Sequence, residues 1–185
     1  EVGPGKGYLT EFLIKKKPSR LILIEKDRQL ETVLTNLIKN KSIKIKLIIE
    51  DALKISINKL SKNKIVLIGN LPYNVATTLI LNWLRYIHSF ESIVVMVQKE
   101  VASRLSAKEK TKHYGRTSVL AQVVADVKIK FDVAPENFFP KPKVHSSVIE
   151  IIPKEKIKFN YKKLDKFLKL SFMHKRKTLK NNLSK

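Results

Sequence analysis

Ile65-Val66-Leu67-Ile68-Gly69-Asn70-Leu71-Pro72-Tyr73-Asn74 is the stretch on which the fold turns. Its first four residues form a short, β-branched apolar run bounded by polar residues, the pattern of a buried strand. The segment from Gly69 to Asn74 reads in two ways. Gly, Asn and Pro all favour turns. An Asn, a Pro and an aromatic just past a buried strand are also where an open α/β sheet binds a ligand. The neighbouring segments separate the two readings.

Similar apolar runs recur on both sides. Upstream lie Leu21–Ile24, closed by Glu25, and Ile43–Ile49, closed by Glu50-Asp51. Glu1-Val2 reads as the end of a first strand, because Gly3-Pro4-Gly5-Lys6-Gly7 comes at once after it. That abrupt opening predicts residues upstream and an incomplete first strand. Helices are predicted over Tyr8–Lys17 and after Asp27, where Leu30, Val33, Leu34, Leu37 and Ile38 fall at helical spacing. Another is predicted over Ala76–Arg85, with Leu79, Ile80, Trp83 and Leu84 inward. Downstream, Ile93–Val97 is a strand, Lys99–Ala107 and Thr117–Ala125 are helices, and Lys108–Lys112 is a basic loop. Val127, Ile129, Phe131 and Val133 alternate with polar residues, and Val144–Ile152 comes after a proline-rich turn, so these two strands are expected to pair antiparallel. Strands alternating with helices predict α/β architecture: a parallel sheet with crossover helices and an antiparallel last strand. The predicted boundary lies at Pro153, with an α/β domain over 1–153 and a basic helical unit over 154–185 that continues further.

Composition narrows the function. The 185 residues include 38 Lys or Arg against 16 Asp or Glu, a net charge of +22, which points to a polyanionic partner, most simply nucleic acid. Lys outnumbers Arg 32 to 6, so a general lysine bias competes with that reading. Twelve Lys or Arg against two acids in residues 154–185 favour a localised basic surface. With no cysteine and four scattered histidines, neither disulfides nor a metal site is expected. No apolar run approaches membrane-spanning length, and a monomer in the cytoplasm is expected.

The strand ends carry the chemistry. A glycine loop between a strand and a helix lets backbone approach a ligand at a helix N-terminus, although its G-x-G-x-G spacing is not the dinucleotide G-x-G-x-x-G. Glu25, eighteen residues past Gly7, stands where an acid accepts ribose hydroxyls. Asp51 ends the next strand, where it would accept from an adenine amino group or cap a helix. Glycine loop, acid, acid and Asn-Leu-Pro-Tyr thus end four successive strands and share one rim.

These residues resemble the Rossmann-like S-adenosylmethionine-dependent methyltransferases, and more narrowly the KsgA family of small-subunit rRNA adenine N6,N6-dimethyltransferases. The resemblance runs through Glu1–Gly7, Glu25, Asp51, Asn70–Asn74, Gln98-Lys-Glu-Val-Ala-Ser-Arg104, Tyr114-Gly-Arg-Thr-Ser118, Phe138-Phe-Pro-Lys-Pro-Lys-Val144 and Lys175-Arg-Lys-Thr-Leu-Lys-Asn-Asn182. It implies that Gly3, Gly5, Glu25, Asp51, Ala52 and Asn70 hold S-adenosylmethionine. Asn70, Leu71, Pro72 and Tyr73 would form the catalytic turn, with Phe138 a second aromatic for the target base. It implies that Lys175, Arg176, Lys177 and Lys180 grip RNA of the small ribosomal subunit, and that the targets are two adjacent adenosines near its 3′ end. One departure stands out: His145 occupies a position where the family usually carries Asp. An antibiotic-resistance-type enzyme for large-subunit rRNA and a non-catalytic ribosome-assembly or transcription protein are the alternatives; the motif set and the intact Glu25, Asp51 and Asn70 favour the first reading.

Overall fold

A computed structural model describes residues 1–155, 159–174 and 177–184, the side chain of Asn58 apart. The strands are β1 (Arg20–Glu25), β2 (Lys44–Ile49), β3 (Ile65–Asn70), β4 (Phe90–Gln98), β5 (Ala125–Val133) and β6 (Ser146–Pro153). The helices are α1 (Tyr8–Lys15), α2 (Glu31–Ile38), α3 (Ala76–Leu84), α4 (Lys99–Leu105), α5 (Arg116–Gln122), α6 (Tyr161–Ser171) and α7 (Leu179–Leu183). β1 and β2 pair in parallel, and β3-β4-β6-β5 form a second ladder in which β6 runs antiparallel to both neighbours.

Val2 joins the two ladders. It bridges Ile24 of β1, and its N–H donates to the Ile68 carbonyl of β3 at 2.9 Å. Gly69 permits that approach: a Cβ there would lie 2.6 Å from the Val2 carbonyl oxygen.

The apolar patterns explain the core. Leu79, Ile80, Trp83 and Leu84 of α3 are buried against Leu67, Ile93, Val95, Ile149 and Ile151 from the sheet. Three expectations need correction. Val33 is exposed, and only Leu34 of the predicted α2 stripe is fully buried, because α2 is two turns long and covers an edge pair of strands. Strand β3 runs on through Gly69 and Asn70, which pair with Val95 and Met96, so the turn begins only at Leu71. β5 is more exposed than its alternation predicts: Ile129 and Phe131 are both exposed, and a bulge between them, which pairs them with Ile149 and Val148, breaks the single apolar face.

The parallel ladders put Gly3, Glu25, Asp51 and Asn70 at the carboxyl ends of neighbouring strands. Because β6 is antiparallel to β4, Ser146 opposes Gln98, and the connection from β5 to β6 crosses the same rim.

Candidate active site

Gly3, Gly5 and Gly7 have φ of 70°, 58° and 87°, left-handed values that favour glycine. The loop they form leads into α1, with Gly7 as its N-cap. A Cβ on Gly5 would meet no atom within 4 Å, so the loop faces open space at the rim. Its N–H donates to Glu25 Oε2 at 3.0 Å.

Glu25 is only 8% exposed. Its Oε1 accepts from the backbone N–H groups of Lys26 at 2.7 Å and Asp27 at 2.9 Å. Three backbone donors therefore fix this carboxylate between the glycine loop and its own turn. An ionised carboxylate offers about four acceptor directions, so roughly one remains, on Oε2. One further hydroxyl fits without displacing a backbone bond; a second must share.

Asp51 behaves differently. Its Oδ1 accepts from Leu53 N–H at 2.9 Å, and Oδ2 pairs with Lys26 Nζ at 3.0 Å. The Leu53 bond first, and the Lys26 contact after it, hold the Asp51 carboxyl below its ordinary range. Ala52 comes next, half-buried against the core. Beside the glycine loop, Glu1 accepts from Thr10 Oγ1 at 2.6 Å, and burial raises its carboxyl above the usual value, with Glu25 adding to the effect.

At the next strand end, Asn70 is exposed at the rim. Leu71 anchors the turn: its side chain is buried, and its N–H donates to Met96 O at 3.1 Å. The Pro72 carbonyl accepts from Val75 N–H at 3.2 Å and Ala76 N–H at 3.0 Å, which starts α3. Tyr73 is half-buried, and its hydroxyl shares a 2.7 Å hydrogen bond with the buried Ser146 Oγ. Phe138 is half-buried on the β5–β6 connection, while Phe139 beside it is fully exposed.

Three features escaped the sequence reading. Ser146 carries no local signal, since its partner lies 73 residues away. Lys26, between Glu25 and Asp27, carries no local signal of its role but reaches the second acid. Lys99 pairs with Asp132 at 2.5 Å, and Ser147 Oγ donates to the same carboxylate at 2.6 Å, which holds Asp132 below its ordinary value. Lys99 N–H also donates to His145 O at 2.9 Å, which ties the backbone before β6 to the start of α4.

The predicted RNA residues Lys175 and Arg176 lie outside the described residues. Lys177 and Lys180 are exposed, on the α6–α7 turn and in α7. No group of three metal-ligating side chains occurs among the described residues, and no described helix is long and apolar enough to cross a membrane.

A rim of glycine loop, two acids and Asn-Leu-Pro-Tyr invites comparison with known proteins. The model of the family described as ribosomal RNA adenine dimethylase matches residues 1–185. The chain belongs to that family. The ribosomal RNA small subunit methyltransferase A of Ehrlichia ruminantium is 43% identical over 185 residues, which cover 99% of this chain and 71% of that protein. Among solved structures, a dimethyladenosine transferase from Plasmodium falciparum superimposes with a TM-score of 0.86 at 28% identity, covering all of this chain and 66% of the other. The chain thus spans about two thirds of these relatives. The 23S rRNA methyltransferase ErmE superimposes with a TM-score of 0.77 at 19% identity, over 98% of this chain and 72% of the other, a likeness of fold. The fold is that of the Rossmann-like methyltransferases, and the family's members are rRNA adenine methyltransferases.

Proposed function

We propose that this chain, within its full-length protein, methylates the exocyclic amino groups of two adjacent adenosines near the 3′ end of small-subunit rRNA, giving dimethyladenosine. The observation that carries this reading is the family membership joined to an intact rim: Glu25, Asp51 and Asn70 end adjacent strands around an open glycine loop.

The residues fit S-adenosylmethionine, which when bound supplies an electrophilic methyl group on a sulfonium. The open backbone at Gly3 and Gly5 suits close approach of the ligand, the remaining acceptor direction of Glu25 suits a ribose hydroxyl, and Asp51 with Ala52 suits the adenine. Asn70 stands between this half and the target.

Adenine's amino nitrogen is a poor nucleophile, because its lone pair is delocalised into the ring. In this reading the Asn70 side-chain oxygen and the Leu71 carbonyl accept its two protons. That draws the nitrogen toward tetrahedral geometry and directs its lone pair to the methyl group. Pro72 stiffens the turn holding both acceptors. No strong base is required, because the methylated ammonium loses a proton readily; positioning and electrostatics suffice. Tyr73 stacks on the extruded base, fixed at its hydroxyl by Ser146, with Phe138 opposite. Such stacking contributes ~1–3 kcal/mol per base. The division at Pro153 gives the methyltransferase domain over 1–153 and a basic unit over 154–185, whose Lys175, Arg176, Lys177 and Lys180 contact the RNA backbone.

Methyl transfer from labelled cofactor, assayed on isolated small and large subunits lacking the modification, tests the reading with the full-length protein. Label is expected in two adjacent small-subunit adenosines. Label in large-subunit RNA alone would overturn it.

A further inference from the structure

The Tyr114-Gly-Arg116 motif lies in none of the strand-end turns, and the structure shows what it touches. Arg116, at the start of α5, binds Asp165 in the middle of α6: Nε donates to Oδ1 at 2.7 Å, and the terminal nitrogen lies 2.5 Å from the same oxygen. Both side chains are mostly covered, at 34% and 22% exposure. Together with Tyr161 they line a cleft of about 260 Å³. The Tyr161 hydroxyl is buried without a hydrogen-bond partner among the described residues, and burial raises its pKa. Tyr114 meets Phe172 edge to face, at 6.2 Å and 71°. Ser118 locks the motif from within, accepting from Gly115 N–H at 3.1 Å and donating to Arg104 O at 2.6 Å.

The Arg116–Asp165 and Tyr114–Phe172 contacts join regions that carry two basic segments far apart in sequence. Just before Tyr114 lies the loop with exposed Lys108, Lys110 and Lys112. It is coiled on itself, with Thr111 donating to Lys108 O through both N–H and Oγ1 and Tyr114 N–H donating to Thr111 O. Just after Phe172 comes the turn leading to exposed Lys177 and Lys180. That turn is set by Asn182, whose buried amide donates to Ser171 O at 3.0 Å and His174 O at 3.1 Å.

We propose that Lys108, Lys110 and Lys112 form, with Lys177 and Lys180, one surface that grips RNA phosphates, and that Arg116 and Tyr114 are positioning residues holding its two halves together. Neither touches the reacting atoms. The proposal rests on the proposed RNA-methylating function and adds a second contact, supplied by the α/β domain itself. Two lysine groups whose flanking segments are tied together match a backbone of regularly spaced phosphates better than two independently moving ones, because less freedom is lost on binding.

The full-length protein tests it, with RNA binding, cofactor binding and methyl transfer measured separately. The triple change K108Q/K110Q/K112Q is expected to weaken binding to the small-subunit RNA about tenfold and to flatten its salt dependence by about two in log–log slope. Cofactor affinity should not move. A control triple, K39Q/K41Q/K44Q, removes equal charge at the β2 edge and should change RNA binding less than about threefold. Equal effects of the two triples would overturn the assigned surface in favour of bulk charge. R116D is expected to raise KM for RNA about tenfold with kcat and cofactor affinity within about threefold, and R116D/D165R to restore KM. A parallel fall in kcat and cofactor affinity, or failure of the swap in a chain that still binds cofactor, would overturn the positioning role. If the wild-type protein itself neither binds nor methylates the RNA, the proposed methylating function fails instead.

Discussion

Glu25 and Tyr73 stand on the same rim and are held by different kinds of contact. Glu25 is fixed by three backbone N–H groups, two of them from the next two residues. Tyr73 is fixed by one side-chain hydroxyl 73 residues away. The proposed cofactor half is therefore built largely from local turns and needs little beyond its own strand ends. The proposed target half depends on the four-stranded ladder: Leu71 hangs on Met96, and Tyr73 on the first residue of β6. Asn70 lies where the halves meet, its carbonyl 3.5 Å from where a Cβ on Gly3 would stand. A contact built locally should fail locally, whereas one built across the fold should fail in step with its distant partner.

The largest effect is expected at the junction. Asn70→Ala removes one of two proposed acceptors for the amino protons and should lower kcat by about 10²–10³, the range seen when one preorganised polar contact to a developing charge is lost. RNA binding should persist, and single-turnover methyl transfer against RNA affinity separates the two. Turnover within threefold of wild type would remove Asn70 from the chemistry.

Next comes the cofactor half. Glu25→Gln puts an amide NH₂ where backbone N–H groups now donate, so at least one donor faces another donor. Hydrogen bonds to a charged acceptor contribute about 1.5–3 kcal/mol each. Cofactor affinity should fall by about tenfold or more, and the melting temperature should drop as well, because the same carboxylate ties the glycine loop to β1. Calorimetric titration with S-adenosylmethionine checks the first and thermal unfolding the second. A drop in stability without loss of affinity would make Glu25 purely a loop anchor.

The target half should respond more weakly and in a linked way. Tyr73→Phe and Ser146→Ala each break the 2.7 Å hydrogen bond and should reduce methyl transfer about three- to tenfold, since a single neutral hydrogen bond contributes about 0.5–1.5 kcal/mol. The double variant should be no worse than the poorer single one, because both remove the same contact. Full additivity in kcat would mean that Tyr73 and Ser146 act separately.

The same contrast explains what could be read from sequence. The glycine loop, Glu25 and Asp51 were visible because local turns leave local patterns: glycines that take positive φ, and acids closing apolar runs. The inward residues of α3 came from helical spacing, and the antiparallel last pair from alternation. Ser146 and Lys99 were not visible, since their partners Tyr73 and Asp132 are chosen by strand order. That order places β6 between β4 and β5, a placement that the sequence pattern alone does not impose. Val33 misled for a related reason. Helical spacing marks a face, but how much of it is covered depends on the size of the sheet beneath, and α2 lies over two strands.

The smallest expected effect concerns Lys26, which looks like an essential partner of Asp51 and by this comparison should not be one. Its side chain is 75% exposed, and exposed ion pairs contribute little. The larger hold on Asp51 is local, the Leu53 N–H. Lys26→Ala should therefore change cofactor affinity less than about threefold at neutral pH, where Asp51 is ionised with or without the lysine. A difference should emerge only in acid. Asp51 has a depressed pKa in the folded chain, so its charge, and any contact that depends on it, persists below the ordinary carboxylate range and is lost as pH falls through the depressed value. Without Lys26 that value moves part of the way back up, and the acid limb of cofactor binding should shift to higher pH with it, while the residual Leu53 bond keeps it below that of an unperturbed Asp. Binding measured from neutral pH down to the acid limit checks this. A large loss at neutral pH would mean that Lys26 itself contacts the cofactor, and the cofactor half would then depend on a side chain as the target half does.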